Sequence, residues 1–315
     1  MKTEKSSNTY QFKRLTKTDY PKWATFFSLV FNKKIAPEFY HKKYNSQHLG
    51  KGVLACFAHD ENDEMVAAYT NIPYEFIHNG QLHLGLQNCD DATHPQHQRK
   101  GLSTDIAKHC FELAKQENYT WIFGLPNETL SHVFRKLNWI FLENFKLYDI
   151  KIKTIPIFGI CHRLGLTSFY GKYANFCLKN YKIPPVSFNS FDDSTYLIVH
   201  RSPEHLAYKA GLNNFFIKIG EVIFWIKLIG GSLVIGDLKA SSEQELQFSM
   251  TKLKKLCAKL GLKSIVFQTQ TGSNVQKYFA KTYDSKDSLP IFYMNFGTNL
   301  PLKKIKLTFA DFDTF

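Results

Sequence analysis

Apolar residues recur at helical spacing between Asp19 and Phe31, where Trp23, Phe26, Phe27, Val30 and Phe31 share one face. The period then shortens. Val53 to His59 and Met65 to Asn71 flank the turn-like Asp60-Glu61-Asn62-Asp63 and read as a hairpin. Tyr74 to His78 and Gln81 to Asn88 flank Asn79-Gly80, the best two-residue hairpin turn in the chain. Three or four antiparallel strands are therefore predicted in succession. Helical spacing returns at Leu102, Ile106, Cys110 and Leu113, in a helix predicted from Gly101 to about Glu117. Tyr119 to Gly124 reads as a short buried strand. Thr129 to Leu137 reads as a helix striped by Leu130, Val133, Phe134 and Leu137, and Trp139 to Ile150 as one or two strands.

From Lys151 to Ser190 the pattern is irregular, with Pro156, Pro184-Pro185 and the aromatic stretch Phe169, Tyr170, Tyr173 and Phe176. This segment is predicted to be a linker with one helix. The last third repeats the first in outline. Glu204 to Ala210 suits a helix, and Phe215 to Ile219, Val222 to Leu228 and Leu233 to Leu238 suit an antiparallel meander. Leu246, Met250, Leu253, Cys257 and Leu260 form a helical stripe stopped by Gly261. Ser264 to Thr269, Ser273 to Thr282 and Leu289 to Phe296 then predict strand, helix, strand. Asp237 leads to Ile265 over much the same length as Asp91 leads to Trp121, so a duplicated topology is predicted. The expected division is a domain at 1–150, a helical connection at 151–190 and a second domain at 191–315. A chain of 315 residues is comfortable for two domains.

Composition narrows the function. The 44% hydrophobic and 15% aromatic content is that of a packed protein, with disorder expected only at Met1 to Asn8. Forty Lys and Arg against 27 Asp and Glu give a net charge of +13, which favours anionic partners. The cations are spread along the chain and not gathered into an arm, which disfavours nucleic acid. The six cysteines include no CxxC pair, as expected of free thiols in a reducing compartment. Met1 to Arg14 has no apolar core, and Ile155 to Tyr170 is interrupted by His162-Arg163, far short of about 18 apolar residues. A cytoplasmic protein without membrane insertion is expected.

One segment carries chemistry. Cys89-Asp90-Asp91-Ala92-Thr93-His94-Pro95-Gln96-His97-Gln98-Arg99-Lys100-Gly101-Leu102-Ser103 joins a predicted strand to a helix N-terminus. Small residues at Gly101 and Ser103 let the backbone approach a bulky anion. The free N–H groups of a first helical turn point at such an anion, and the helix dipole favours its charge. Arg99 and Lys100 add positive charge there. An ordinary strand-to-helix turn is the alternative; it would use the glycine but not the Gln-Arg-Lys before it.

This stretch resembles motif A of the GNAT acyltransferase superfamily, a Gln/Arg-x-x-Gly-x-Gly/Ala loop after a strand with a Pro three residues before the Gln/Arg. Pro95, Gln98 and Gly101 match, and Ser103 stands for the usual small third residue. Trp121-Ile122-Phe123-Gly124-Leu125-Pro126-Asn127 looks like the strand after the motif A helix. Val133-Phe134-Arg135-Lys136-Leu137-Asn138-Trp139 looks like the family's Tyr-x-Lys-Leu-Gly-Phe helix ending. The likeness covers roughly residues 10–150, and the whole chain resembles bacterial tandem GNAT proteins with a degenerate second half. The resemblance implies an α+β fold of two GNAT-like domains, each a mixed, mostly antiparallel sheet flanked by helices. It implies acetyl-CoA or another acyl-CoA as cofactor, with the pyrophosphate on the amides of Gln98, Arg99, Lys100, Gly101, Leu102 and Ser103. The pantetheine would run beside the strand ending near Thr93, and Asn127 would face the cofactor.

Direct attack of a primary amine on the thioester needs a base for the amine proton and an acid for the leaving thiolate. Strand alternation lets one of Asp90 and Asp91 face the cleft. Counting back from Pro95 selects Asp91 as base, with a bracing role for it left open; Glu75 is the second candidate. The family's usual acid, a Tyr, falls at Phe134, so either Tyr148 or another group serves or the thiolate leaves unassisted. His94, His97, Asp91 and Cys89 are too loosely spaced to predict a metal site. In the second half Asp237-Leu238-Lys239-Ala240-Ser241-Ser242 stands where the loop would be, without a glycine. A covering role is expected there, with Arg201, Tyr208, Lys209 and Trp225 either an acceptor-side surface or plain packing. The leading expectation is an N-acyltransferase for a small amine such as an amino sugar. A non-catalytic acyl-CoA-binding module and a Fem-like ligase using aminoacyl-tRNA are the alternatives.

Overall fold

A computed structural model describes residues 10–33 and 36–315; Met1 to Asn8, expected to lack order, lies outside them. The chain begins with β1 (Gln11–Arg14), α1 (Tyr20–Phe31), α2 (Pro37–Lys43), β2 (Leu54–His59), β3 (Met65–His78) and β4 (Gln81–Thr93). It continues with α3 (Leu102–Gln116), β5 (Trp121–Gly124), α4 (Glu128–Lys136), β6 (Ile140–Lys151), α5 (Ile157–Arg163) and α6 (Thr167–Leu178). Then come β7 (Lys182–Ile183), β8 (Leu197–Val199), α7 (Pro203–Ala210), β9 (Asn214–Ile219), β10 (Val222–Ile229) and β11 (Ser232–Lys239). The last elements are α8 (Glu243–Lys259), β12 (Ser264–Thr269), α9 (Asn274–Thr282), β13 (Ser285–Asn295) and β14 (Ile305–Lys306).

These elements form two compact units. One holds the chain up to Glu75, then 84–142 and 291–300; the other holds 76–83, 143–290 and 301–315. The division thus differs from the expected 1–150 and 191–315. The turn of the β3–β4 hairpin and residues 143–150 belong to the second unit, and part of β13 belongs to the first. The stretch 151–190, expected to be a linker, carries α5 and α6 and is part of the second unit. Its Cys161, Tyr170, Ala174, Cys177 and Leu178 are core residues there.

In the first unit the strand order is β1-β2-β3-β4-β5, followed by the end of β13. β4 and β5 are parallel, and β13 joins β5 antiparallel through Phe292↔Gly124 to Asn295↔Trp121. The 3.6-residue stripe of α3 delivers Leu102, Ile106, Cys110 and Ala114 to a core shared with Leu54, Cys56, Tyr69 and Ile122. Trp23 of α1 stacks on Tyr40 and Tyr44 at 5.0 and 4.6 Å, which fixes α2 and the residue after it.

In the second unit β6 pairs β12 antiparallel, β12 pairs β11 parallel, and β11, β10, β9 and β7 follow as an antiparallel run. Here α8 supplies Leu246, Met250, Leu253 and Cys257 to the core. Both units therefore hold one parallel pair followed by a helix. Each takes the strand beside its parallel pair from the segment that follows the other's last helix: β13 in the first, β6 in the second. The six cysteines are buried and joined in no disulfide. No helix among the described residues is long and apolar enough to cross a membrane.

Candidate active site

β4 and β5 part company early. Their registered pairs run from Leu86↔Ile122 to Asn88↔Gly124. Beyond that, β4 continues through Cys89 to Thr93 while the chain after Gly124 turns into α4. The result is a fork between two parallel strands. Its apex is tight: a Cβ on Gly85 would meet the Trp121 ring at 2.3 Å, and one on Gly124 would meet Phe134 at 2.9 Å.

A bulge shapes the β4 arm. Asn79 and Gly80 both have positive φ, the I′ geometry of a two-residue hairpin. Farther along, the His94 N–H donates to Val66 O at 2.8 Å, which requires one more residue in β4 than in β3. That extra residue is placed by Asp90, whose φ is +49°.

After β4 a short 3₁₀ turn, Pro95–His97, leads to the loop. Gln98 Nε2 donates back to Thr93 O at 3.2 Å and braces it. Arg99 has φ +62° and Gly101 φ +83°, so the backbone curls twice into the left-handed region before α3 begins. Gly101 has open space, its nearest neighbour being Asp105 Oδ2 at 3.9 Å, so the backbone angle and not crowding calls for glycine. Lys100 closes a hydrogen-bonded turn over Gln98 and Arg99, whereas among the described residues the N–H groups of Arg99, Gly101, Leu102 and Ser103 meet no intramolecular acceptor. Gln98 to Gly101 are exposed, Ser103 is half-buried, and the Leu102 side chain anchors the helix in the core. A run of outward amides at a helix N-terminus, with Arg99 and Lys100 beside it, is a cradle for a phosphate or pyrophosphate. The residues fit an acyl-CoA.

The other residues singled out from sequence are less alike. Asp91 is half-buried; its Oδ1 accepts from Thr70 N–H at 3.2 Å and Asn88 Nδ2 at 3.1 Å, while Oδ2 is out of solvent without a partner. Burial holds its carboxyl well above the usual range, against the pull of those two donors. Asp90 is instead ion-paired to Lys43 Nζ at 2.5 Å and accepts from the Tyr44 hydroxyl. Neither contact was legible in the sequence, because α2 is too short to show a period. Glu75 is half-buried near the end of β3. Asn127 caps α4, its Oδ1 accepting from Leu130 N–H at 2.9 Å. Phe134, 1% exposed, stacks on Trp139 at 4.1 Å. Tyr148 is not brought to this unit: it lies in the core of the second, with its hydroxyl accepting from Gln276 Nε2 at 3.0 Å. His97 faces the Tyr10 hydroxyl and His94 caps Gln96 N–H, so neither turns to Asp91.

The sequence model of the acetyltransferase (GNAT) domain matches residues 11–141. Residues 11–141 form a GNAT acetyltransferase domain. No curated protein sequence matches the chain. Among solved structures the chain is similar to a GCN5-related N-acetyltransferase from Kribbella flavida, with 12% identity and TM-score 0.56, covering 91% of this chain and 72% of that one. It is also similar to one from Anabaena variabilis, with 10% identity and TM-score 0.57 over 92% and 73% of the two chains. A third, from Sphaerobacter thermophilus, has 11% identity and TM-score 0.50 over 94% and 98%. At such identities the likeness is one of fold. It extends beyond the GNAT domain to nearly the whole chain.

Proposed function

We propose that the chain is an acyl-CoA-dependent N-acyltransferase, using acetyl-CoA or another acyl-CoA and acting on a primary amine of a small molecule. The observation that carries this reading is the set of unpartnered N–H groups of Arg99, Gly101, Leu102 and Ser103, beside the β4–β5 fork of a GNAT domain. The Gln98 N–H is bonded to Pro95 O, so the amides of Arg99, Gly101, Leu102 and Ser103 would hold the pyrophosphate, with the Arg99 and Lys100 side chains supplying charge. Thr93 lines the β4 arm. The Asn127 Oδ1 is committed to its helix cap, so its Nδ2 is the donor that remains for the cofactor. When bound, the cofactor supplies the activated thioester.

In passing from ammonium to amide the nitrogen loses two protons: one is taken by a base and released, and the other is balanced by the one the departing sulfur gains. A carboxyl whose burial favours the protonated form is suited to give a proton to the departing sulfur. We therefore assign Asp91 the acid's part and Glu75 the base's. Asp90 is committed to Lys43 and Tyr44, and Tyr148 has no part in the scheme. An amino sugar is the first acceptor to try. The test is the pH profile of kcat/KM. Asp91→Asn should remove the basic limb, and Glu75→Gln should lower kcat/KM at least about tenfold across the range; unchanged profiles in both variants would refute the assignment. A second reading, binding without turnover, is favoured by Phe134, which cannot donate a proton from the position of the family's tyrosine. Acetyl-CoA binding with no CoA release over a panel of amines would select it.

A further inference from the structure

The second unit repeats the fork of the first, and its own chain fills it. β11 and β12 are paired from Ser232↔Ser264 to Ile235↔Phe267; β11 then continues through Gly236, Asp237 and Leu238 to Lys239, as β4 continues past Asn88. Residues 305–315 occupy the opening. On the β12 side Thr308 bridges Thr269, Gln270 N–H donates to Leu307 O at 3.3 Å, and Leu307 N–H donates to Gln270 Oε1 at 2.6 Å. On the β11 side the buried Arg201 links the strand to the segment. It binds Asp237 Oδ2 at 2.5 Å, Asp311 Oδ1 at 2.9 Å and Thr308 Oγ1 at 2.8 Å. Burial works against that guanidinium's charge, and Asp311 and Asp237 more than restore it. Lys209 Nζ donates to Phe312 O, and Asn214 Nδ2 donates to Phe315 O at 3.0 Å. The Phe315 ring lies so close on Gly236 that a Cβ there would come within 2.4 Å.

The turn after β11 is closed to an anion as well. Ser242 caps α8 by accepting Glu245 N–H at 3.2 Å, and Glu245 Oε2 accepts Ser241 N–H at 3.3 Å. Glu243 and Glu245 put negative charge in the first turn of α8, where the first unit has Arg99 and Lys100 before α3. The same helix terminus that is open and basic in one unit is satisfied and acidic in the other. An acyl-CoA does not fit there.

We infer that residues 305–315 are an internal ligand of the second unit's fork, so the chain carries one acyl-CoA site and not two. The count rests on the acyl-CoA reading above; the place of the segment does not. Equilibrium binding of acetyl-CoA to the full chain should give one equivalent, and none in Gly101→Glu. Two equivalents, or one that survives in Gly101→Glu, would overturn the inference. Absence of any binding would instead strike the acyl-CoA reading, and hydrogen exchange then judges the segment alone. The amides of Leu307, Thr308 and Asp311 should be protected as strongly as those of β12, with or without acetyl-CoA. Gln270→Ala should speed their exchange at least about tenfold while leaving β4 and α3 unchanged. Exchange as fast as an exposed loop in the unsubstituted chain, or deprotection by acetyl-CoA, would refute the internal ligand.

Discussion

Replacing Gly101 separates what its backbone does from what its position does. An L-residue at φ +83° costs about 1 kcal/mol, and no neighbour crowds a Cβ there, so Gly101→Ala should lose about that much stability. Gly80 is the matched control: its φ is +74°, nothing lies within 4 Å of its added Cβ, and it sits in the β3–β4 turn, away from the loop. Gly80→Ala should therefore cost a similar 1 kcal/mol and leave acetyl-CoA affinity unchanged. Gly101→Glu adds a carboxylate to the cradle. At about 6 Å from a phosphate charge and an effective dielectric near 20, the repulsion is about 3 kcal/mol, or more than about a hundredfold in Kd. Urea unfolding measures the first effect and calorimetric titration with acetyl-CoA the second. Gly101→Glu binding as tightly as the unsubstituted chain, or Gly80→Ala binding more weakly, would refute the reasoning.

Other residues give sharper local tests. Asn127→Asp keeps the oxygen that caps α4 and removes the Nδ2 donor, so stability should hold while acetyl-CoA affinity falls about fivefold or more; unchanged affinity would free Asn127 from any cofactor role. Gly85→Ala puts a Cβ 2.3 Å from the buried Trp121 ring and should cost about 3 kcal/mol in urea unfolding. Burial lowers the Lys209 ammonium to about 7. Between that pH and the ordinary lysine value the unfolded chain binds a proton that the folded chain does not, so Lys209 makes stability rise with pH over this window. The rise should be absent from Lys209→Met, and parallel urea midpoints for the two proteins from pH 6.5 to 9.5 would contradict it.

Elements with a strong local signature were legible in the sequence. The Asn79-Gly80 hairpin, the stripes of α3 and α8, and the β9–β10–β11 meander all follow from turn chemistry or period alone. β1 was not foreseen because Gln-Phe-Lys-Arg is a short and largely exposed strand with a single apolar residue. β3 was read as two runs because Pro73 interrupts it. The strand nevertheless continues, since pairing with β2 ends at Asn71 and pairing with β8 begins at Phe76, leaving Pro73 where no ladder partner needs its N–H. The exchange of β6 and β13 between units depends on pairing between residues more than a hundred positions apart, which no local pattern records. At the site, the loop was visible because its function needs particular residue types in order. The states of Asp90 and Asp91 were not, because they are set by Lys43, Tyr44, Thr70 and Asn88, brought in from other elements.

The most direct test of the central claim is to titrate the ¹⁵N-labelled chain with acetyl-CoA and follow its backbone amides. The account predicts saturable shifts at Arg99, Lys100, Gly101, Leu102 and Ser103, with Lys239 to Ser242 unmoved. A loop that stays silent at saturating acetyl-CoA, or a response confined to Lys239 to Ser242, would contradict it.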